Sequence, residues 1–141
     1  MTYNEKKRFL EGYVYSVRRI KGLQRELEEW QTIATGITQK LKDIPIRSSG
    51  NNKIEDCAIK MAELENQLYD EIEKATQKRE SIQIVVNQIR DLRRREIIEL
   101  RYVHGLSVNM ISYELDKDCE NIYKIIRRTI KSLEIKENPL A

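Results

Sequence analysis

From Ile54 onward one apolar position recurs every seven residues: Ile54, Met61, Leu68, Ala75, Ile82 and Ile89. A second heptad position carries Cys57, Leu64, Val85 and Leu92; Glu71 and Lys78 interrupt it, with Ile72 beside the gap. A seam of this length needs a partner helix to cover it, because a lone helix cannot bury its own apolar stripe. Upstream, Leu10, Tyr13, Val17, Ile20, Leu23, Leu27, Trp30, Ile33, Ile37, Leu41 and Ile44 follow in steps of three or four and so share one helix face. The spacing predicts helices over about Asn4–Ile44 and Lys53–Ile89, each ~60 Å long at ~1.5 Å per residue. Gly12, Gly22 and Gly36 weaken the first by up to ~1 kcal/mol each relative to Ala.

Pro45 disfavours helical geometry in the residue before it, so the first helix is expected to end there. The loop over 45–52 concentrates turn-forming residues, and Asn51 or Asn52 can cap the second helix. A loop this short lets the helices fold back as an antiparallel, coiled-coil-like hairpin, within one chain or as part of a homodimer. Trp30 is expected to anchor the hairpin core.

Composition agrees with an all-α chain. Charged residues make up 35% of the 141 positions, while Gly (5) and Pro (2) are too scarce for a turn-rich sandwich or barrel. The longest uncharged stretch, Tyr102–Tyr113, is far shorter than the ~20 residues of a membrane span. The early basic patch Lys6, Lys7, Arg8 leads into Glu11 rather than a signal-peptide core. Cys57 and Cys119 form neither a disulfide framework nor a zinc pattern. The expectation is a cytoplasmic protein with no membrane partner, cofactor or metal.

The net charge of +3 is unevenly placed. Residues 1–89 hold 15 Lys/Arg against 14 Asp/Glu, whereas residues 90–133 hold 10 against 7. The heptad rhythm also ends in this later segment. Three shorter helices are expected, over about 93–103, 108–115 and 119–133. Gly105 follows the first, where left-handed geometry suits glycine. Ser107 caps the second, Asp116-Lys117 makes a tight turn, and Asp118 caps the third. The domain reading is therefore a hairpin over 1–90 and a helix-turn-helix over 91–141 with a short tail.

The stretch Arg94–Leu133 resembles region 4 of sigma-70-type RNA polymerase sigma factors. The matching features are R-E-x-x-x-L-R-Y at Arg95–Tyr102, G-L-S at Gly105–Ser107, I-x-x-E-L at Ile111–Leu115, and N-I-Y-x-I…I-x-x-L from Asn121 to Leu133. The whole chain is similar to small region-4-like proteins of bacteriophages and integrated elements of Gram-positive bacteria, some regarded as late-gene transcription regulators. The resemblance implies DNA binding, with RNA polymerase as a natural second partner. Asp116 stands where the family turn has glycine, and Cys119, Asn121 and Tyr123 stand where sigma factors usually have Arg.

A recognition helix needs polar residues near its start for base edges and cations further along for phosphates. Glu120 can accept from cytosine N4, Asn121 can pair with adenine, and Lys124 can reach guanine acceptors. Tyr123 can meet a thymine methyl or a phosphate. Ser107, Arg127, Arg128 and Lys131 are the expected phosphate contacts. Arg90, Arg93, Arg94 and Arg95 either track the DNA backbone or form a solvated linker paired with Asp91 and Glu96. His104, the lone histidine, reads as a surface or capping residue, and Cys57 as packing. No catalytic constellation is apparent, so an enzyme is not expected. The leading expectation is a DNA-binding transcription regulator. The rivals are a DNA-packaging component of the small-terminase kind and a protein-interaction module that binds polymerase or a sigma factor without DNA.

Overall fold

A computed structural model describes the backbone of residues 1–43 and 48–136, and the side chains of 1–37 and 53–136. The described residues form five helices and no strand: α1 (Tyr3–Asp43), α2 (Ser48–Val86), α3 (Leu92–Tyr102), α4 (Val108–Leu115) and α5 (Cys119–Ser132). Pro45, Ile44 and the tail from 137 onward lie outside the described residues, as do the side chains of Leu41, Asn51 and Asn52. Because α2 begins at Ser48, its start precedes the expected one, and Asn51 and Asn52 fall inside its first turns rather than ahead of them.

The first turn of α1 is fixed by a reciprocal capping box. The Thr2 N–H donates to Glu5 Oε2 at 3.1 Å, and the Glu5 N–H donates to Thr2 Oγ1 at 3.2 Å. At its other end α2 stops at Val86, one turn short of the heptad pattern. Asp91 competes for the chain here: its carboxylate accepts from the Arg93 and Arg94 N–H groups and starts α3. The Arg95 guanidinium then reaches back to the carbonyls of Ile89 (2.7 and 3.0 Å) and Asn87 (3.2 Å), closing the α2–α3 turn. The heptad register is lost across that turn. Ile89 remains buried, but Leu92, the expected next seam residue, is 76% exposed.

The contacts divide the chain into two units, residues 1–17 with 74–141, and residues 18–73. In the first unit one apolar core runs across residue 90. Leu10 of α1 and Ile82, Val85 and Val86 of α2 pack in the same cluster as Ile97, Ile98 and Tyr102 of α3, Val108 and Ile111 of α4, and Ile122, Ile126 and Ile130 of α5. The ends of the hairpin thus complete the core under the short helices. The two long helices run antiparallel in this unit. Lys78, a break in the seam, lays its stem against Gly12 and donates to Ser16 Oγ at 3.0 Å. The Arg79 guanidinium lies over the Tyr13 ring, 5.7 Å from its centre.

In the second unit the same antiparallel pairing buries Leu23, Cys57 and Leu64. Glu71, the other seam break, pairs with Arg19 at 3.2 Å. Two helices cover only one side of each other's stripe, so Ile20, Leu27, Met61 and Leu68 stay half-buried. Trp30 is also half-buried rather than a buried anchor, and Ile33 is exposed.

Gly105 adopts φ 71°, in the left-handed region. A Cβ there would meet the Val14 methyls only at 3.8 Å and 3.9 Å, an ordinary contact, so the cost of a side chain lies in the backbone. Gly22 sits inside α1 with open space around it. Gly105→Ala should therefore destabilise by about 1–2 kcal/mol, and Gly22→Ala should stabilise by about 0.5–1 kcal/mol. Chemical denaturation of the two variants checks the opposite signs.

Tyr102 is 4% exposed, and burial pushes its phenol up to about 12; Glu11 and Tyr3 act in the same direction, and Arg101 opposes them. Above pH ~10 an unfolded phenol ionises while the folded one keeps its proton, so unfolding releases a proton and stability falls with pH. The loss should total on the order of 2–3 kcal/mol between pH ~10 and ~12. It should be absent from Tyr102→Phe when the two proteins' denaturation midpoints are compared across that range.

Candidate nucleic-acid interface

The start of each helix of the α4–α5 pair is set by a capping side chain. Ser107 Oγ accepts from the Met110 N–H at 3.2 Å and starts α4. Asp116 ends α4 in the left-handed conformation, φ 51° and ψ 49°. Asp tolerates this geometry better than most residues, so the turn forms without the glycine. The Ser112 hydroxyl donates to the Lys117 carbonyl and ties the turn to α4. Asp118 Oδ1 then accepts from the Asn121 N–H at 2.8 Å and starts α5. Val108 and Ile111 face inward from α4, and the Cys119 thiol donates to Asn109 Oδ1 at 3.1 Å, joining the first turns of the two helices. These contacts define a helix-turn-helix.

α5 is strongly two-sided. Ile122, Ile126, Thr129 and Ile130 are buried, and Leu133 continues their face. Thr129 meets its need for a partner by donating to the Ile125 carbonyl at 2.7 Å. At about 100° per residue, Glu120, Lys124, Arg127, Arg128 and Lys131 form one row opposite that buried face, and all five are exposed. Asn121 and Tyr123 flank the row on opposite sides, also exposed. Of the expected site residues, then, seven share the outer surface of α5. Ser107 stands apart at the start of α4.

The row has internal structure. Lys124 pairs with Glu120 at 3.7 Å, with the two side chains 61% and 82% exposed. An exposed pair of this kind is worth ~0–1 kcal/mol, so a ligand can open it. The Arg127 guanidinium lies over the Tyr3 ring at 6.0 Å. The backbone carbonyl of Lys131 accepts from Lys6 Nζ at 3.1 Å. Glu120 is the only carboxylate within α5, against four cations.

The arginines before and within α3 divide by role. Arg95 is a structural clamp on the α2–α3 turn, and Arg93 pairs with Glu96 at 3.6 Å. Arg90 and Arg94 line an open cleft of about 370 Å3 together with Asp91, Thr129, Ser132 and Glu134. Of the two carboxylates in the solvated-linker alternative, Glu96 pairs with Arg93 and Asp91 caps α3. The sequence reading missed the Asp91 cap and the contacts of Tyr3 and Lys6 with α5. The cap has a local signal, Asp one position before the helix. The contacts have none, because Lys6 and Lys131 lie 125 residues apart.

His104 is exposed on the surface after α3, and Cys57 is packed in the hairpin seam. Among the described residues no group of three His, Cys, Asp or Glu side chains is placed to hold a metal ion, and no helix is long and apolar enough to cross a membrane. No protein-family model, curated protein or solved structure matches the chain.

The turn between α4 and α5 makes three predictions. Asp118→Ala should cost about 1 kcal/mol, the usual worth of an N-cap. Asp116→Val should cost about 1–2 kcal/mol, because a β-branched residue resists left-handed geometry, whereas Asp116→Gly should fold at least as stably as the parent. Thermal unfolding monitored by circular dichroism orders the three variants.

Proposed function

We propose that this chain binds duplex DNA through α5 and acts as a transcription regulator similar to sigma-70 region 4. The observation that carries the reading is the row Lys124, Arg127, Arg128 and Lys131 on the outer face of the second helix of a helix-turn-helix. The major groove admits one α-helix, and cations along its exposed face neutralise the flanking phosphates. In this reading Glu120, Asn121, Tyr123 and Lys124 meet base edges, while Arg127, Arg128 and Lys131 meet phosphates. Ser107 Oγ already accepts a backbone N–H, but its proton is free to donate to a phosphate at the start of α4.

A protein partner is the second reading, RNA polymerase by the sigma resemblance. Two side chains favour it: Met110 and Tyr113 of α4 are 56% and 89% exposed. Aromatic and Met side chains are enriched at protein interfaces. The half-buried stripe of the second unit would suit a homodimer through the hairpin.

The test is binding of the full chain to duplex DNA across a salt series. Each phosphate contact adds about 0.9 to the negative slope of log K against log salt. Arg128→Ala should weaken binding to all sequences alike and lower the slope by about one, while Asn121→Ala should change sequence preference and leave the slope in place. Selection from randomised duplexes then gives the target. A salt-independent or undetectable affinity would leave the protein-partner reading standing alone. A ring-shaped higher oligomer would favour packaging over regulation.

A further inference from the structure

We infer that the first turn of α1 belongs to the nucleic-acid interface, with Lys6 as an added phosphate contact and Tyr3 as the positioning residue for Arg127. The inference rests on the DNA-binding reading of α5. It starts from the capping box, in which Thr2 and Glu5 satisfy each other's backbone N–H groups and so order a terminal turn that would otherwise fray. Tyr3 and Lys6 are three apart on this ordered turn and share a helix face. Both reach α5: Tyr3 lies under the Arg127 guanidinium at 6.0 Å, and Lys6 Nζ donates to the Lys131 carbonyl at 3.1 Å. Arg127 and Lys131 are themselves four apart, so two neighbouring residues of α1 meet two neighbouring residues of the cation row.

The chemistry of each contact leaves the cation able to bind a phosphate. An ammonium has three donors, and Lys6 spends one on Lys131. Its charge also suits the negative end of the α5 dipole, which keeps it at the last turn of the helix. The ring contact at 6.0 Å is electrostatic and takes up no hydrogen-bond acceptor, so the Arg127 N–H donors stay available for bidentate contact with a phosphate. An arginine without the ring beside it would have to give up side-chain freedom on binding; the ring contact removes part of that cost beforehand. The nearby carboxylate on this turn, Glu5, is occupied by the cap.

The test uses the full chain and a mixed-sequence duplex of about three helical turns, titrated across a salt series. Lys6→Gln keeps a donor for the Lys131 carbonyl but loses the charge, so it should lower the salt slope by about one. Tyr3→Leu should weaken binding roughly two- to fivefold without changing the slope, and Tyr3→Phe should bind like the parent. In an Arg127→Ala background, Tyr3→Leu should cost nothing further. An unchanged slope in Lys6→Gln, or an equal loss from Tyr3→Leu with and without Arg127, would overturn the inference. Arg128→Ala separates the two layers, since Arg128 is not part of the contact. If it weakens binding while the Tyr3 and Lys6 variants match the parent, the inference fails alone. If the parent chain does not bind duplex DNA, the underlying reading fails with it.

Discussion

The apolar core shared by the ends of the long helices and the three short ones is the constraint on which the first unit depends. Helices of 11, 8 and 14 residues are too short to persist alone in water. Their stability has to come from burial. α4 offers only two fully inward positions, Val108 and Ile111, and α3 only three. The missing apolar surface is supplied by Leu10, Ile82, Val85, Val86 and Ile89. At roughly 1.5–3 kcal/mol for each fully buried aliphatic side chain, those five outweigh any cap or ion pair in the unit. The outward face of α5 is therefore held in place by residues of α1 and α2 as much as by its own turn.

Polar residues refine what the core permits. The seam of α2 is broken at Glu71 and Lys78, and in each case α1 offers a fitting surface. A charged side chain in a seam is costly unless it finds a partner. Lys78 finds the bare backbone of Gly12 for its stem and the Ser16 hydroxyl for its head; Glu71 finds Arg19. A shift of the pairing by one residue would take Lys78 off Gly12, the one position there without a side chain. These breaks specify register, the role that single polar residues play in coiled-coil seams generally. The buried polar side chains of the first unit follow the same rule: Ser16 accepts from Lys78 and Thr129 donates to Ile125.

Local chemistry was the legible part of the sequence. Gly105, Ser107, Asp116 and Asp118 act where their types predict, because a cap or left-handed turn is settled within a few residues. The face of α5 follows equally from spacing alone. The heptad failed where a pattern was extended past a local signal: Asp91 and Arg95 stop α2 and restart the chain, and Leu92 turns to solvent. The division of the chain at residue 90 followed the change in rhythm, but a core does not respect rhythm, and Ile82 to Ile89 pack with Ile97 to Ile130. Least legible were Tyr3 and Lys6 against α5. Nothing in a one-dimensional pattern joins a first turn to a last helix.

The balance of charge bears on how a DNA-binding α5 would work. Arg127, Arg128 and Lys131, with Lys6 beside them, would neutralise about three to four phosphates. At about 0.9 in slope per phosphate, affinity would fall roughly a hundredfold between 50 and 200 mM salt. On the DNA-binding reading, a single row of this size would give weak binding under cellular conditions, where tight readers make more contacts. Two routes remain open to such a module. One is doubling, in which a second copy sets two rows on one duplex and the effective concentration of the second contact raises the affinity of the pair. The other is a protein partner already on the DNA. The α4 surface bearing Met110 and Tyr113 suits the second route, and the half-covered seam of the hairpin suits the first. In both, weakness in the isolated chain would make its action conditional on assembly.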